Sequence, residues 1–447
     1  MYRTFTICIL VCHSFLLAQT TLQQEIDKMI QPIIEYKWNV GVVVGVYQKD
    51  KEDVVLSYGF SDKTTQQKTN VQTVFEIASI SKAFTGILLS KMILENKLAM
   101  DDTIDKFIDI DSEVGKITLQ HLVTHTSGLP SLPTNITPKD IDNPYTSYTD
   151  ENILDFLRKY KLTRKPGKQY QYSNLGVGLL GKILQIQAKK SYESMVKEEI
   201  CQPLSMSHTA ITKDKKWQVA VGHDLDLTPV PFWDWPVLQG AGSLHSNVKD
   251  GLRFIKENIA AHHAQPKTTL QQALVKSHKT LRHVSGKLKI GTAWHKLGED
   301  VVWHNGGSGG FRSFLGFNPQ REIGIIVLTN TANSLDYVGF NILNFLSGEK
   351  MQEVVVRKTA EVDPKIFSSY LGTYKLGMLK IQISQNNDKL MVKIADQPAY
   401  RIYPETETKF FWKIVNAQLE FVKNKEGNVN KIILHQFGRQ MPAVRIK

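Results

Sequence analysis

The sequence predicts an α/β (α+β) fold: an antiparallel sheet flanked by helices, interrupted by an inserted all-helical region and followed by a C-terminal all-β domain. Three observations lead there. An early helix and hairpin, with further strands only after residue 300, imply one sheet assembled from both ends of a domain. The long middle carries apolar residues at helical spacing. Beyond Lys358 short alternating segments take over, separated by turn residues.

Ile26, Met29, Ile30 and Ile33 mark a helix between Leu22 and Ile34. Gly41–Tyr47 and Asp53–Tyr58 read as strands joined by the polar turn Gln48-Lys49-Asp50-Lys51. From Ser79 to Glu95, Phe84, Ile87, Leu88, Met92 and Leu94 form the stripe of an amphipathic helix. More helices are expected over Leu119–Thr124, Glu151–Tyr160, Leu175–Gln187 and Tyr192–Ile200. Strands return at Val301–Trp303, Phe311–Phe317 and Glu322–Thr329. The last region offers Leu379–Ser384, Leu390–Ile394, Phe410–Val415, Leu419–Lys423 and Lys431–Gln436, with turns at Asn386-Asn387-Asp388, Pro404 and Glu426-Gly427-Asn428. That is the spacing of a barrel or sandwich. The expected organisation is a leader over 1–18, a main domain over 19–357 and the β domain over 358–447.

Arg3, the apolar run from Phe5 to Leu17, and Ala18 before a polar stretch have the pattern of a signal peptide. The protein is thus expected to be exported, periplasmic or secreted. Cys8 and Cys12 fall in that leader, which leaves Cys201 alone and no internal disulfide. Ile9-Leu10-Val11 before Cys12 lacks the small residue of a lipoprotein cleavage site, so anchoring through Cys12 is not expected. No later run reaches the ~18 apolar residues of a membrane span. The formal charge of +12 is spread without a basic cluster or interleaved aromatics, which argues against nucleic acid. The 13 His include one adjacent pair, His262-His263, and no His-Glu-x-x-His; neither a metal nor a cofactor is expected. The expected partner is a small-molecule or peptide substrate.

Ser-x-x-Lys brings a hydroxyl and an amine onto one helical face. The amine can take the hydroxyl proton if burial lowers its pKa. The motif occurs at Ser79–Lys82, Ser194–Lys197, Ser246–Lys249 and Ser347–Lys350, and only Ser79 opens a long apolar-striped helix. Plain N-capping is the alternative for Ser79. Tyr172-Ser173-Asn174 follows Pro166-Gly167 and precedes a helix; a phenol can relay protons and an amide can hold a substrate. The alternative is a loop Tyr with an N-cap Asn. Val301-Val302-Trp303 leads into His304-Asn305-Gly306-Gly307, where glycines admit a substrate carbonyl to backbone N–H groups. The alternative there is a tight turn with an exposed His.

Ser-x-x-Lys, Tyr-x-Asn and His-x-Gly in this order resemble the serine β-lactamase and penicillin-binding-protein superfamily, specifically its class C-like branch of D,D-peptidases, D-aminopeptidases and esterases. Leu122-Val123-Thr124-His125-Thr126-Ser127-Gly128-Leu129, Pro203-Leu204-Ser205-Met206 and Gly240-Ala241-Gly242-Ser243-Leu244-His245-Ser246 are similar to recurrent segments of that branch. The likeness runs from about Ile26 to Leu346 and implies a β-lactamase-like fold. It implies Ser79 as acylated nucleophile, Lys82 as its activator and Tyr172 as a proton-transfer group. It further implies Asn174, His304, Gly306 and Gly307 as substrate-binding positions, with the N–H groups of Ser79 and Gly307 as an oxyanion hole.

His-Asn-Gly replaces the Lys-Thr-Gly of most class C β-lactamases, exchanging a constant charge for a group that ordinarily titrates near neutrality. The expectation is a serine hydrolase acting on a small amide or ester, chiefly a D-amino acid peptide, including one derived from the cell wall, or an ester. A class C-like β-lactamase and a non-catalytic penicillin-binding-type receptor or scaffold are the alternatives. Gly306-Gly307-Ser308-Gly309-Gly310 also matches the α/β-hydrolase elbow, but alternating Phe311–Phe317 follows it where that elbow needs a helix.

Overall fold

The computed structural model describes residues 22–263, 265, 268–436 and 438–446. The expected leader, with Cys8 and Cys12, lies outside them. The chain forms two compact units: one comprises the chain up to Ile34 with Asn39–Gln352, the other Glu35–Trp38 with the chain from Glu353 onward.

In the first unit, α1 (22–35) buries Leu22, Ile26, Met29, Ile30 and Ile33, the spacing of one helical face. Then come β1 (Gly41–Gln48), β2 (Val54–Asp62), β3 (Gln67–Lys68) and β4 (Phe75–Glu76), a 3₁₀ turn over Ala78–Ile80 and α2 (Ser81–Leu94). The helical region holds α3 (Leu119–Val123), α4 (Asp150–Lys159), α5 (Asn174–Ala188) and α6 (Tyr192–Val196), which continues as a π turn over Lys197–Cys201. β5 (Gly222–His223), β6 (Pro229–Val230), α7 (Gln239–Gly242), β7 (His245–Ser246), α8 (Val248–His263) and α9 (Thr269–Ser277) follow. The unit closes with β8 (Arg282–Ser285), β9 (Leu288–Ile290), β10 (His295–Leu297), β11 (Val301–Gly307), β12 (Arg312–Asn318), β13 (Ile323–Thr329) and α10 (Asp336–Leu346).

One antiparallel sheet runs in the order β3-β2-β1-β13-β12-β11-β10-β9-β8. Early β1 pairs with late β13, Val44 facing Val327, so the sheet is assembled from both ends of the domain as the sequence predicts. β13 is buried along its whole length. Both faces are covered: Gly251 of α8 sits so close to Ile326 that a Cβ would lie 2.1 Å from it, and Phe340 of α10 meets Phe314 of β12 at 4.8 Å. That is why β13 reads as an unbroken apolar run rather than an alternating one.

α2 departs from expectation. It begins at Ser81, leaving Ser79 in the 3₁₀ turn, and it is buried almost all round rather than amphipathic. It packs against α5, α7 and α9, so no face remains for water. Two of its polar residues turn inward and are satisfied: the Leu244 N–H donates to Ser81 Oγ at 3.0 Å, and Thr85 Oγ1 donates to the Gly240 carbonyl at 2.8 Å.

The second unit is a closed barrel of β14 (Gly372–Leu376), β15 (Leu379–Asn386), β16 (Lys389–Ile394), β17 (Tyr400–Pro404), β18 (Lys409–Phe411), β19 (Ala417–Lys423), β20 (Val429–Gln436) and β21 (Arg439–Arg445). β14 meets β21 through Tyr374–Arg445 and Lys375–Val444 pairs, which removes both sheet edges. Alternate residues such as Ile381 and Ile383, Leu390 and Val392, and Leu419 and Phe421 point into its core.

Candidate active site

The Ser79 segment is pinned before it turns. The Ile77 N–H donates to the Leu244 carbonyl at 3.0 Å, and Ser313 Oγ donates to the Ile77 carbonyl at 2.8 Å. Ala78 then adopts φ 44°, a left-handed conformation that costs a residue with a Cβ about 1–2 kcal/mol. The following 3₁₀ turn eclipses positions three apart. Lys82 Nζ accordingly lies 2.9 Å from Ser79 Oγ.

Lys82 is fully buried, and burial drives its pKa well below the ordinary lysine value. A neutral amine has two N–H bonds and one lone pair. Asn174 Oδ1 at 2.7 Å and the Ala241 carbonyl at 2.6 Å accept the two N–H bonds, which turns the lone pair toward Ser79 Oγ. The Tyr172 hydroxyl is hydrogen-bonded to Ser79, its ring centre 4.9 Å from Lys82 Nζ. Burial raises the Tyr172 pKa above its usual value, so the phenol keeps its proton.

Ser173, with His125, places Tyr172 and Asn174. Ser173 caps α5 by accepting the Gly176 N–H at 2.9 Å, donates from Oγ to the Pro130 carbonyl at 2.7 Å, and donates its own N–H to His125 Nδ1 at 3.2 Å. The N-cap is thus Ser173 and not Asn174, whose amide is released to hold Lys82. His125, itself at φ 57°, stacks its ring 4.5 Å from that of Tyr172.

On the facing strand, the Gly306 Cα lies against the Ser79 turn: a Cβ there would sit 2.2 Å from the Ile77 carbonyl oxygen and 2.4 Å from Ser313 Oγ. Gly307 is exposed. β10 pairs with β11 only at Val301–Trp303, so residues 304–307 have no strand neighbour on their outer edge. His304 departs from the exposed, titrating group the sequence suggested. It is fully buried, and burial, with His295 and Lys82 beside it, pushes its pKa well below the usual histidine range. Its Nδ1–H donates to the Asn305 carbonyl at 2.6 Å, and its Nε2 has no protein partner. The neutral ring therefore offers a lone pair and no charge.

All seven sequence-identified positions fall in this neighbourhood, while Lys197, Lys249 and Lys350 of the other Ser-x-x-Lys matches are exposed. Ser308 of the elbow match lies in the β11–β12 hairpin, with no helix after it. Sequence reasoning missed His125, His295 and Glu76. His295, on β10, stacks 4.8 Å from His304, and its Nε2 is 3.3 Å from the Tyr170 hydroxyl; burial pushes its pKa down to about 4. His125 stood in a recognised segment without a role, whereas nothing in the sequence singles out His295. Among the described residues, no group of three or more His, Cys, Asp or Glu is placed to hold a metal ion.

A family model described as Beta-lactamase matches residues 26–344, and one described as a domain of unknown function (DUF3471) matches residues 356–445. Protein flp of Staphylococcus aureus (strain N315) is 29% identical over 327 residues, covering 69% of this chain and 63% of its own; the alignment thus spans less than two thirds of that relative. Penicillin-binding protein 4* of Bacillus subtilis (strain 168) is 24% identical over 424 residues, covering 88% of this chain and 92% of its own. A solved class C β-lactamase superposes with a TM-score of 0.66 at 23% identity, over 74% of this chain and 98% of that one, and so shares the fold. With the family model spanning most of the chain, the protein belongs to the Beta-lactamase family.

Proposed function

We propose that the protein is a serine hydrolase that transfers an acyl group from a small amide or ester to Ser79 and then to water. The observation that carries this reading is the fully buried Lys82, its pKa pushed well down by burial, with Nζ 2.9 Å from Ser79 Oγ and its other contacts to Asn174 and Ala241. Lys82 Nζ takes the Ser79 proton as Oγ bonds to the substrate carbonyl carbon. The carbonyl oxygen gains charge against the N–H groups of Ser79 and Gly307. As the carbon–nitrogen or carbon–oxygen bond breaks, the leaving group takes a proton from the Lys82–Tyr172 pair. Water enters by the same steps in reverse order, and Asn174 keeps Lys82 aimed throughout.

The buried, uncharged His304 supports esters, and D-amino acid peptides held without their C-terminal carboxylate, ahead of β-lactams, because this position brings no cation to a substrate carboxylate. The export pattern supports a site of action in the periplasm or outside the cell. Ser79→Ala should abolish labelling by a fluorescent phosphonate while leaving the circular dichroism unchanged; turnover retained in that variant would overturn the assignment. Nitrophenyl esters, D-amino acid anilides and nitrocefin, assayed side by side, separate the substrate classes.

A further inference from the structure

Three residues before Ser79, Glu76 ends β4 with its side chain buried. Its Oε2 accepts from Ser308 Oγ at 2.5 Å, and its Oε1 accepts from the Trp233 N–H at 2.9 Å. Ser308 directly follows Gly307, and its carbonyl accepts from Arg312 Nη1 at 2.6 Å. Residue 308 is therefore clamped twice, by Glu76 through its side chain and by Arg312 through its backbone. The Arg312 guanidinium also occupies the space a Gly307 side chain would need, within 3.1 Å of its Cβ position. One carboxyl thus ties the nucleophile segment to the strand end that carries the Gly307 N–H.

We propose that Glu76 is a positioning residue for acyl transfer, which in its carboxylate form holds Ser308, and with it the Gly307 N–H, at the oxyanion position facing Ser79. The inference rests on the serine acyl-transfer reading above. Both of its bonds come from donors, so the carboxylate satisfies them together, whereas a protonated carboxyl must turn one oxygen into a donor and weaken one bond.

The surroundings make this a working switch. Burial raises the Glu76 pKa from its ordinary value to about 7, against the lowering effect of Ser308, Trp233 and Lys213; Asp234 raises it further. His245 stands opposite on β7 as the cross-strand neighbour of Glu76. Burial pushes its pKa down to about 3, so it brings no charge. Lys213 Nζ lies 3.5 Å from His245 Nε2, and Arg312 is the cation on the β12 side. Glu76 is thus a buried carboxyl whose ionisation falls in the neutral range.

The test uses the full chain with two readouts, the rate of Ser79 labelling by a fluorescent phosphonate and kcat for nitrophenyl acetate, between about pH 5.5 and 9. Wild type should lose about tenfold in both on going from about pH 8 to pH 5.5, with a midpoint near 7. Glu76→Gln, which can still accept from Trp233 and contact Ser308, should give a flat profile across that midpoint at an intermediate rate. Ser308→Ala should lower kcat with little change in KM, and combining it with Glu76→Gln should cost no more than the worse single variant. A limb near pH 7 that persists in Glu76→Gln, or additive losses in the double variant, overturns the positioning role. Labelling that survives Ser79→Ala overturns the acyl-transfer reading instead, so the two failures are distinguishable.

Discussion

Among the described residues, fully buried polar and charged side chains other than tyrosine, Glu76, Lys82, His125 and His304 included, all belong to the first unit. The interior of the barrel is aliphatic and aromatic. Its buried tyrosines Tyr370 and Tyr374 donate to the carbonyls of Glu407 and Tyr370 at 2.7 and 2.9 Å. A buried polar group costs free energy unless it is fully paired. The first unit keeps atoms such as His304 Nε2 and His295 Nδ1 buried without a protein partner, leaving polar groups free beside Ser79 and Lys82. The barrel core is what a segment selected for packing looks like.

The largest effect should come from removing the neutral state of Lys82. Arginine keeps its proton in proteins, so Lys82→Arg should lower kcat/KM by about 10³-fold or more, and burying a fixed charge there should also cost several kcal/mol of stability. Steady-state kinetics and urea unfolding check both. A Lys82→Arg enzyme of near-normal rate would end the contrast between the two units.

Next in size, Phe410→Ala in the barrel core should cost about 3–5 kcal/mol, because a fully buried ring leaves a cavity. The loss should appear in the unfolding transition of the barrel, with phosphonate labelling of Ser79 retained under native conditions. Labelling that falls in step with barrel unfolding would show that the chemistry depends on the packing unit.

The fold class was legible because its signals are local and repeated: the period change after Lys358, the helical spacing of α1, and the late strands. Ser79–Lys82 was singled out among four matches by its helix start and by the order of motifs. Which residues surround the candidate site was not legible, since His295 meets His304 by ring contact from a neighbouring strand, and Glu76 meets Ser308, 232 positions away, by a hydrogen bond. The amphipathic reading of α2 failed for a related reason. Ser81, Thr85 and Ser90 look solvent-facing in sequence, yet all three are buried, and the partners of Ser81 and Thr85 lie in distant segments of the chain.

The pH dependence of stability of the first unit should run in two directions. His125 and His304 have pKa values depressed well below 6.5 in the fold. Below that pH the unfolded chain binds protons the fold refuses, so stability falls as pH drops through about 6.5, by about 1.4 kcal/mol per pH unit for each. Glu76 acts oppositely: its folded pKa of about 7 exceeds 4.5, so its contribution is full below 4.5 and is lost as pH rises to 7. The loss is on the order of 3 kcal/mol. Glu76→Gln should therefore raise stability at pH 8 relative to wild type. Denaturant titrations across about pH 4.5 to 8.5 read both limbs, and a Glu76→Gln curve parallel to wild type between about pH 4.5 and 7 would contradict the second.

The smallest effect concerns strain placed beside Ser79. Ala78 holds φ 44° although it has a Cβ, and Ile77 before it is fixed by hydrogen bonds on both N–H and carbonyl. Glycine adopts that conformation without steric penalty but loses more entropy on folding, so Ala78→Gly should gain only about 0.5–1 kcal/mol, or about 2 °C in Tm. If the strain serves the site, the same change should relax the 3₁₀ turn that stacks Lys82 over Ser79 and lower kcat a few-fold while Tm rises. A rise in Tm with unchanged kcat would instead mark the left-handed turn as a tolerated local cost of the kind a packing core also carries, and the contrast between the units would rest on buried polarity alone.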